Sequence, residues 1–345
     1  MKAITAILIA HILRSNVLMI LNVGVVACSS MARRRFLPAI SKIPTLKIWR
    51  VGSRDREKAL TYSNLFNSPY FGSYEDVIYD PSVQLVYISA PPHLHYELSI
   101  AALEEGKHVI CEKPIASNQR DLKKINEIAS NKRVLFAEHY SFPYHPQNIL
   151  AKKIVSNGRI GKPRSINASF HYPMPASNDI RLNSEICGGV LHDSIGYPIL
   201  AALSLIDGEL SLLSANVTID ETFSIDKSCC FKLKVDQVEV TGDVSMGKDY
   251  QAFYEVHGED GSILVSKAYS VDDQYEAKII ETTPHEIFFY SVTKSNQIEN
   301  FLLSFINNIN QNTNDGSYKN NFYHTSLRLR IAIDNIIEGS TFSYD

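Results

Sequence analysis

The stretch "VQLVYISAPPHLHYELSIAALEEGKHVICEKPIA", residues 83 to 116, decides the fold. It opens with an apolar, β-branched run, 83 to 90. A helical pattern follows from His93 to Gly106, and a second apolar run, 107 to 113, closes it. A strand, a helix and a strand in that order make a crossover unit of a parallel sheet. Similar units flank it. Upstream lie "VLMILNVGVVA" (17 to 27), a helical pattern from about Ser30 to Ile43, "LKIWRVGS" (46 to 53) and the helical "DREKALTYSNLF". Downstream lie the helical "SNQRDLKKINEIASN" and the strand-like "RVLFAEHY". Repeated alternation predicts an α/β fold with a doubly wound parallel sheet.

Past residue 148 the pattern changes. "PRSINASFHYPM" alternates as a strand does, and "GGVLHDSIGYPILAALSLI" reads as one helix. Three β-type runs follow: "ELSLLSANVTI", "CCFKLKVDQVEVTGDVSM" and "QAFYEVHGEDGSILVS", the last with a hairpin signal at "HGEDGS". Helices at "NQIENFLLSFINNI" and "SLRLRIAIDNIIEG" close the chain, with the polar tract "NNINQNTNDGSYKNN" between them read as a loop. This part is expected to be an α+β unit with a largely antiparallel sheet. The expected division is a dinucleotide-binding domain over 19–143 and a substrate-binding and oligomerisation domain over 144–345. Residues 1–18 are read as an extension or a signal-like segment.

Composition narrows the class. A chain of 345 residues exceeds one ordinary core, and 45% hydrophobic with 21% charged residues is a soluble globular balance. A formal charge of -3 offers no electrostatic footprint for nucleic acid or for a membrane surface. The five cysteines show no CxxC spacing, which argues against a zinc site or a disulfide framework and for a reducing, cytoplasmic setting. "MKAITAILIAHIL" resembles an export signal but lacks a small-x-small cleavage site and is too short to span a bilayer.

In a doubly wound sheet, ligands bind at the carboxyl ends of the strands near the switch point. The first turn, "VGVVACSSMARRR", supplies Gly24, Ala27, Cys28, Ser29, Ser30, Met31 and Ala32 as candidate cofactor contacts. Ala27, Ser29 and Ala32 stand where a G-x-G-x-x-G motif would have glycines, so the turn alone fits either a pyrophosphate cradle or an ordinary tight turn. The second strand ends in Ser53 and Arg54 with no carboxylate at that point. A hydroxyl and a guanidinium suit a 2′-phosphate, which favours NADP(H) and leaves NAD(H) possible. Ser89, Pro91, Pro92 and His95 follow the third strand, where the nicotinamide half is expected to pass. His93 and His95 lack the partners of a zinc site, and no metal is expected.

Several stretches together resemble the glucose–fructose oxidoreductase/inositol dehydrogenase (Gfo/Idh/MocA) family. They are the first turn, "SRDREKA", "YEDVIYDPSVQLVYISAPPHLHYELSIAALEEGKHVICEKPIA", "YHPQ…IVSNGRIGKPRSINASF" and "IRLNSEICGGVLHDSIGYPILAA". The resemblance implies a Rossmann domain, a second domain built on an open sheet through which copies pair as a homo-oligomer, and hydride transfer on a sugar or polyol. It places Glu112 and Lys113 in the family's E-K-P block, with a cis Lys113–Pro114 bond. It aligns Asp193 and Tyr197 with the acid and the His-or-Tyr position of the second-domain signature. Tyrosine there resembles the sugar 3-ketoreductase subgroup, with a nucleotide-linked keto sugar as expected substrate. A cyclitol, aldose or dihydrodiol dehydrogenase, or a cofactor-binding regulatory protein without turnover, stand as alternatives. The chain departs from the family pattern at Ala27, Pro143, Cys187 and Ile195.

The chemistry fits those residues. Ketone reduction needs a proton donor within hydrogen-bond reach of the carbonyl oxygen. A nearby ammonium lowers a tyrosine's pKa and stabilises charge on the substrate oxygen. Lys113 and Tyr197 are therefore expected to act as a pair, with Asp193 four residues earlier on the same helix face. Arg181 is a candidate for a cofactor or substrate phosphate. Tyr140, Tyr144 and His145 are expected along the sugar pocket, and His192 is expected to be structural.

Overall fold

The computed structural model describes residues 20–315 and 318–345. The signal-like segment therefore lies outside the described residues. Six parallel strands form the first sheet: β1 (Leu21–Val26), β2 (Leu46–Gly52), β3 (Tyr70–Gly72), β4 (Leu85–Ile88), β5 (His108–Cys111) and β6 (Phe136–Glu138). Their spatial order is β3-β2-β1-β4-β5-β6, so the winding reverses between β1 and β4. Strands β1 and β4 are buried along nearly their whole length, because helices cover both faces. The helices are a π-helical turn Ala32–Phe36 running into α1 (Leu37–Ser41), then α2 (Arg56–Leu65), α3 (Tyr74–Ile78), α4 (His95–Glu104) and α5 (Gln119–Lys132). Strand β3 and helix α3 are additions to the sequence reading. Three residues are too few for a periodic signal, although Ser73 and Asp76 form a reciprocal capping box at the start of α3.

The second sheet is nine-stranded and begins after α6 (Pro146–Ser156). Its strands are β7 (Pro163–Tyr172), β8 (Leu210–Asp220), β9 (Ile225–Val235), β10 (Val238–Met246), β11 (Gln251–Gly258), β12 (Ser262–Ser266), β13 (Ala277–Thr282), β14 (Ile287–Val292) and β15 (Ser340–Tyr344). The order is β14-β13-β12-β11-β7-β10-β9-β8-β15. Pairing is antiparallel except for β7 with β10 and β8 with β15. Helices α6, α7 (Val190–Asp193), α8 (Gly196–Leu205) and α10 (Asn321–Gly339) bury the inner face. The outer face carries Asn167, Lys232 and Glu239, all exposed.

Three expectations change. The long helical run breaks at Ser194, whose backbone leaves helical values (φ -123°, ψ -20°), so Asp193 and Tyr197 belong to different helices. The polar tract is helical as far as Asp315: α9 (Gln297–Asp315) carries on because Ile309 is buried and Asn308 accepts a 3.0 Å bond from Asn321. Asn312 then bonds both backbone groups of Lys319. Finally, α9 packs into the first sheet's core. Ile298, Phe301, Leu302 and Phe305 share one buried cluster with β1, β2 and α1.

The apolar stretch Ser184–Leu205 is long and apolar enough to cross a membrane by composition, yet 72% of its most apolar window is buried inside the fold. It comprises a short 3-10 turn, α7 and α8, packed beneath the second sheet.

Candidate functional site

Strand β5 ends at Cys111 on the carboxyl edge of the first sheet, and the next residues carry Glu112 and Lys113 into the gap between the sheets. The Lys113–Pro114 bond is cis. Lys113 Nζ donates to Asp193 Oδ1 at 2.5 Å and also to the Asp193 carbonyl oxygen. It stands 5.5 Å from the centre of the Tyr197 ring. Lys113, Asp193 and Tyr197 therefore meet although three separate elements deliver them. The break at Ser194 does not part them, because Tyr197 N bonds Ser194 O at 3.1 Å and so begins α8 directly after α7.

Asp193 is the hub. Its second oxygen accepts from Arg181 Nε at 3.0 Å and from the Tyr172 hydroxyl at 3.2 Å. Burial pushes the carboxyl up, but the Lys113 and Arg181 charges outweigh it and hold the pKa at about 2. Burial alone would lower the pKa of Lys113, and the Asp193 carboxylate reverses that and raises it. Tyr197 moves upward, because its burial outweighs the pull of Lys113. That corrects the expected lowering: the pull of Lys113 is present but smaller than the cost of burying the phenolate.

The tyrosine sits in an aromatic wall. Its ring meets Phe170 at 4.9 Å, Tyr140 at 5.4 Å and Tyr269 at 5.6 Å. Tyr250, half exposed, continues the wall from Phe170 at 6.4 Å. Of these only Tyr140 was singled out from sequence. Phe170 and Tyr172 stand at alternate positions of β7 and carried no motif. Tyr140 comes so close to the chain that a Cβ on Gly196 would lie 2.1 Å from its hydroxyl. Tyr144 lies elsewhere: with Tyr140, Lys152, Phe301 and Arg328 it lines a cavity of about 340 Å³ that includes none of Lys113, Asp193 or Tyr197. His145 is fully buried as the cap of α6.

At the switch point, Ala27 adopts φ +74°, and its carbonyl accepts from Ser89 Oγ at 2.9 Å. Ser29 caps the helix that follows, its hydroxyl accepting from Ala32 N at 3.0 Å. The amides of Ser30 and Met31 belong to the first helical turn, where no intrahelical carbonyl exists to receive them. Unreceived amides at a helix N-terminus have the geometry that suits an anion. Two candidates stand apart from these amides. Gly24 lies mid-strand, where a Cβ would meet Val77 at 2.5 Å, so its smallness serves packing beneath α3. The Cys28 thiol turns inward, 3.8 Å from the Lys58 carbonyl, and burial pushes its pKa up to about 11.

At the end of β2, Ser53 is buried and Arg54 exposed. Asp55, the first carboxylate after the strand, caps α2 through the amides of Glu57 and Lys58. Its Oδ1 is thereby committed to the helix start. Pro91 and Pro92 are half-buried at the mouth of β4. His95 is buried, with ring nitrogens 2.7 Å from the Ala90 carbonyl and 2.8 Å from that of Pro114, so it ties two loops together and offers neither nitrogen to a cofactor. The Glu112 carboxylate is likewise engaged, accepting from the Tyr87 hydroxyl at 2.6 Å and meeting His139 Nδ1 at 2.8 Å. Arg181 faces Asp179 and Asp193, with its side chain 43% exposed. Among the described residues, no cluster of three or more His, Cys, Asp or Glu side chains is placed to hold a metal ion.

Known proteins share this fold. Residues 21–140 match the model described as an oxidoreductase family with an NAD-binding Rossmann fold, and residues 149–264 match the GFO/IDH/MocA C-terminal domain. The chain is 31% identical over 252 residues to a dTDP-3,4-didehydro-2,6-dideoxy-alpha-D-glucose 3-reductase of Streptomyces violaceoruber, covering 72% of this chain and 74% of the relative. It is 29% identical to the reductase of the same name from Saccharopolyspora spinosa, over 85% of this chain and 88% of the relative. A 3-ketoreductase from Actinomadura kijaniata, solved with NADP and TDP-benzene, superposes with a TM-score of 0.88 at 25% identity, covering 94% of this chain and 99% of the other.

Proposed function

The chain belongs to the GFO/IDH/MocA family of NAD(P)-dependent oxidoreductases, and from that premise we propose that it is an NADP(H)-dependent reductase of a nucleotide-linked keto sugar. The observation that carries the reading is the convergence of Lys113, Asp193 and Tyr197 at the carboxyl edge of the parallel sheet. Bound nicotinamide supplies the hydride. The amides of Ser30 and Met31 fit the pyrophosphate, and Ser53 with Arg54 fits a 2′-phosphate. The capping duty of Asp55 favours NADP(H) over NAD(H).

Tyr197 serves as the proton donor. Its raised pKa keeps it protonated at neutral pH, as a donor in the reducing direction must be. Lys113, held by Asp193, stabilises the negative charge that grows on the substrate oxygen. The aromatic wall of Phe170, Tyr172 and Tyr250 suits the apolar face of a sugar ring and a stacked base beyond it. The dTDP-sugar reductases from Saccharopolyspora spinosa and Streptomyces violaceoruber support a nucleotide-linked substrate over a free aldose, cyclitol or dihydrodiol. A cytoplasmic setting follows from the same reading. So does a division of labour between a cofactor unit at 19–143 and a substrate unit from 144.

The test is a turnover assay with NADPH and a panel of keto sugars, free and nucleotide-linked. Lys113→Met and Tyr197→Phe should each lower kcat by about 100-fold or more, with NADPH affinity within a few-fold of wild type. Tyr197→Phe at wild-type rate would move the donor elsewhere. NADPH binding without oxidation of any substrate would favour a regulatory protein instead.

A further inference from the structure

Strand β9 pairs with β8 in a register that shifts between Thr218 and Ile219, so that Ser228 faces Thr218 and Asp226 faces Ile219. Lys227 is the residue left over. Inward positions on this strand fall on Cys229, Phe231 and Leu233, all buried under the helices. Without the bulge the next inward side chain would be that of Lys227. The extra residue moves Asp226 to the helix-covered side instead. There its carboxylate accepts from Leu191 N at 2.5 Å, and the Val190 amide faces it as well.

Leu191 and Val190 open α7, the four-residue helix that ends in Asp193. No side chain of that helix's own leading segment caps it, since Gly189 occupies the cap position. Gly189 has φ +98°, and a Cβ there would lie 2.3 Å from Asp226 Oδ1. The glycine is thus the space the carboxylate fills.

We propose that Asp226 is a positioning residue for the reaction: it anchors α7 from the sheet and so fixes Asp193, and through Asp193 the Lys113 ammonium. This rests on the reading of Lys113 and Asp193 as reaction groups. Asp226 has the opposite electrostatic character to Asp193. Burial pushes its pKa up, opposed only by backbone amides, to about 6. The titratable or charged groups around it on the packed elements include Cys229 and Cys230 on β9, Asp243 on β10, Asp220 on β8, His192 and Asp193 on α7, and Lys227, which pairs with Asp345 at 3.1 Å and Asp220 at 3.8 Å. None of them neutralises Asp226. Ionisation as pH rises through about 6 makes the stronger acceptor for the α7 amides. Turnover should therefore fall on the acid side of that value.

The experiment uses the full chain with Asp226→Ala and Asp226→Asn, and reads both amide exchange and kinetics. In Asp226→Ala, hydrogen exchange should quicken by about tenfold or more at residues 190–193 while β1 to β6 stay unchanged. Its kcat should fall by about tenfold or more with NADPH affinity within twofold. Asp226→Asn keeps an acceptor oxygen, so it should recover most of the rate and lose the acid limb near pH 6. Unchanged exchange at 190–193 in Asp226→Ala overturns the proposal even if no substrate is found. Faster exchange with wild-type kcat and pH profile overturns it too. Absence of turnover in the wild type counts against the enzyme reading alone, since the exchange arm still decides whether Asp226 anchors α7.

Discussion

Ala27 and Cys187 share an unusual trait: both are non-glycine residues held at positive φ, +74° and +66°. The sequence reads both as departures from the pattern it resembles, and both hold a left-handed backbone that glycine adopts without a Cβ penalty. An L-residue in the left-handed region costs roughly 1–2 kcal/mol. Ala27→Gly should therefore raise stability by about 0.5–1 kcal/mol, after the extra chain entropy of glycine. It should also tighten NADPH binding by removing a methyl beside the amides at the helix start. A lower melting temperature for the variant would contradict the strain argument. Ile195 differs: it is 1% exposed at φ -59°, an ordinary helical value for any L-residue. The Asp193 carboxyl carries a second expectation. Its folded pKa lies below the unfolded value, so it contributes stability above about pH 4 that is lost as pH falls through about 2. The contribution is on the order of 2 kcal/mol. Melting temperature followed from pH 5 to pH 2 should drop less steeply in Lys113→Met, which lacks the partner.

At the scale of elements, legibility followed periodicity. Each long β1–β6 crossover could be read because an apolar run of strand length alternates with a helical face, and Lys113 could be found because it closes such a run. What escaped were features set by contacts distant in sequence. The break at Ser194 is the exception: it carries a local signal, the polar run His192-Asp193-Ser194 followed by Gly196 and Pro198, which is overridden when the apolar residues on both sides are read as one helix. The aromatic wall needs Phe170 on β7, Tyr197 on α8 and Tyr250 before β11 to come together. The Asp226 bulge depends on how two strands slip past one another. Glu112 and His95 were legible as neighbours of the site but not as members of buried networks, since sequence gives position along a strand and not the partner of a side chain.

For the whole molecule, the nine-stranded sheet has one face under helices and one facing outward. Cross-strand neighbours Leu264, Ile280 and Phe289 make an apolar row near its edge, and Phe289 is 69% exposed. We propose that copies of the chain pair through this face. Phe289→Asp should shift the sedimentation coefficient towards that of a monomer, and an unchanged value at micromolar concentration would place the contact elsewhere.

Helix α9 and Phe322 at the start of α10 complete the hydrophobic interior of the first sheet, roughly 180 residues after β6 has been made. Synthesis therefore outruns assembly. A ribosome adding about 5–20 residues per second leaves the nucleotide-binding half emerged but unfinished for on the order of ten seconds or longer. Its apolar surface beside Phe36 stays bare for that interval, a natural target for chaperones. A fragment ending at residue 143 should be protease-sensitive for the same reason, and a stable, NADPH-binding fragment would show that the late helices are dispensable.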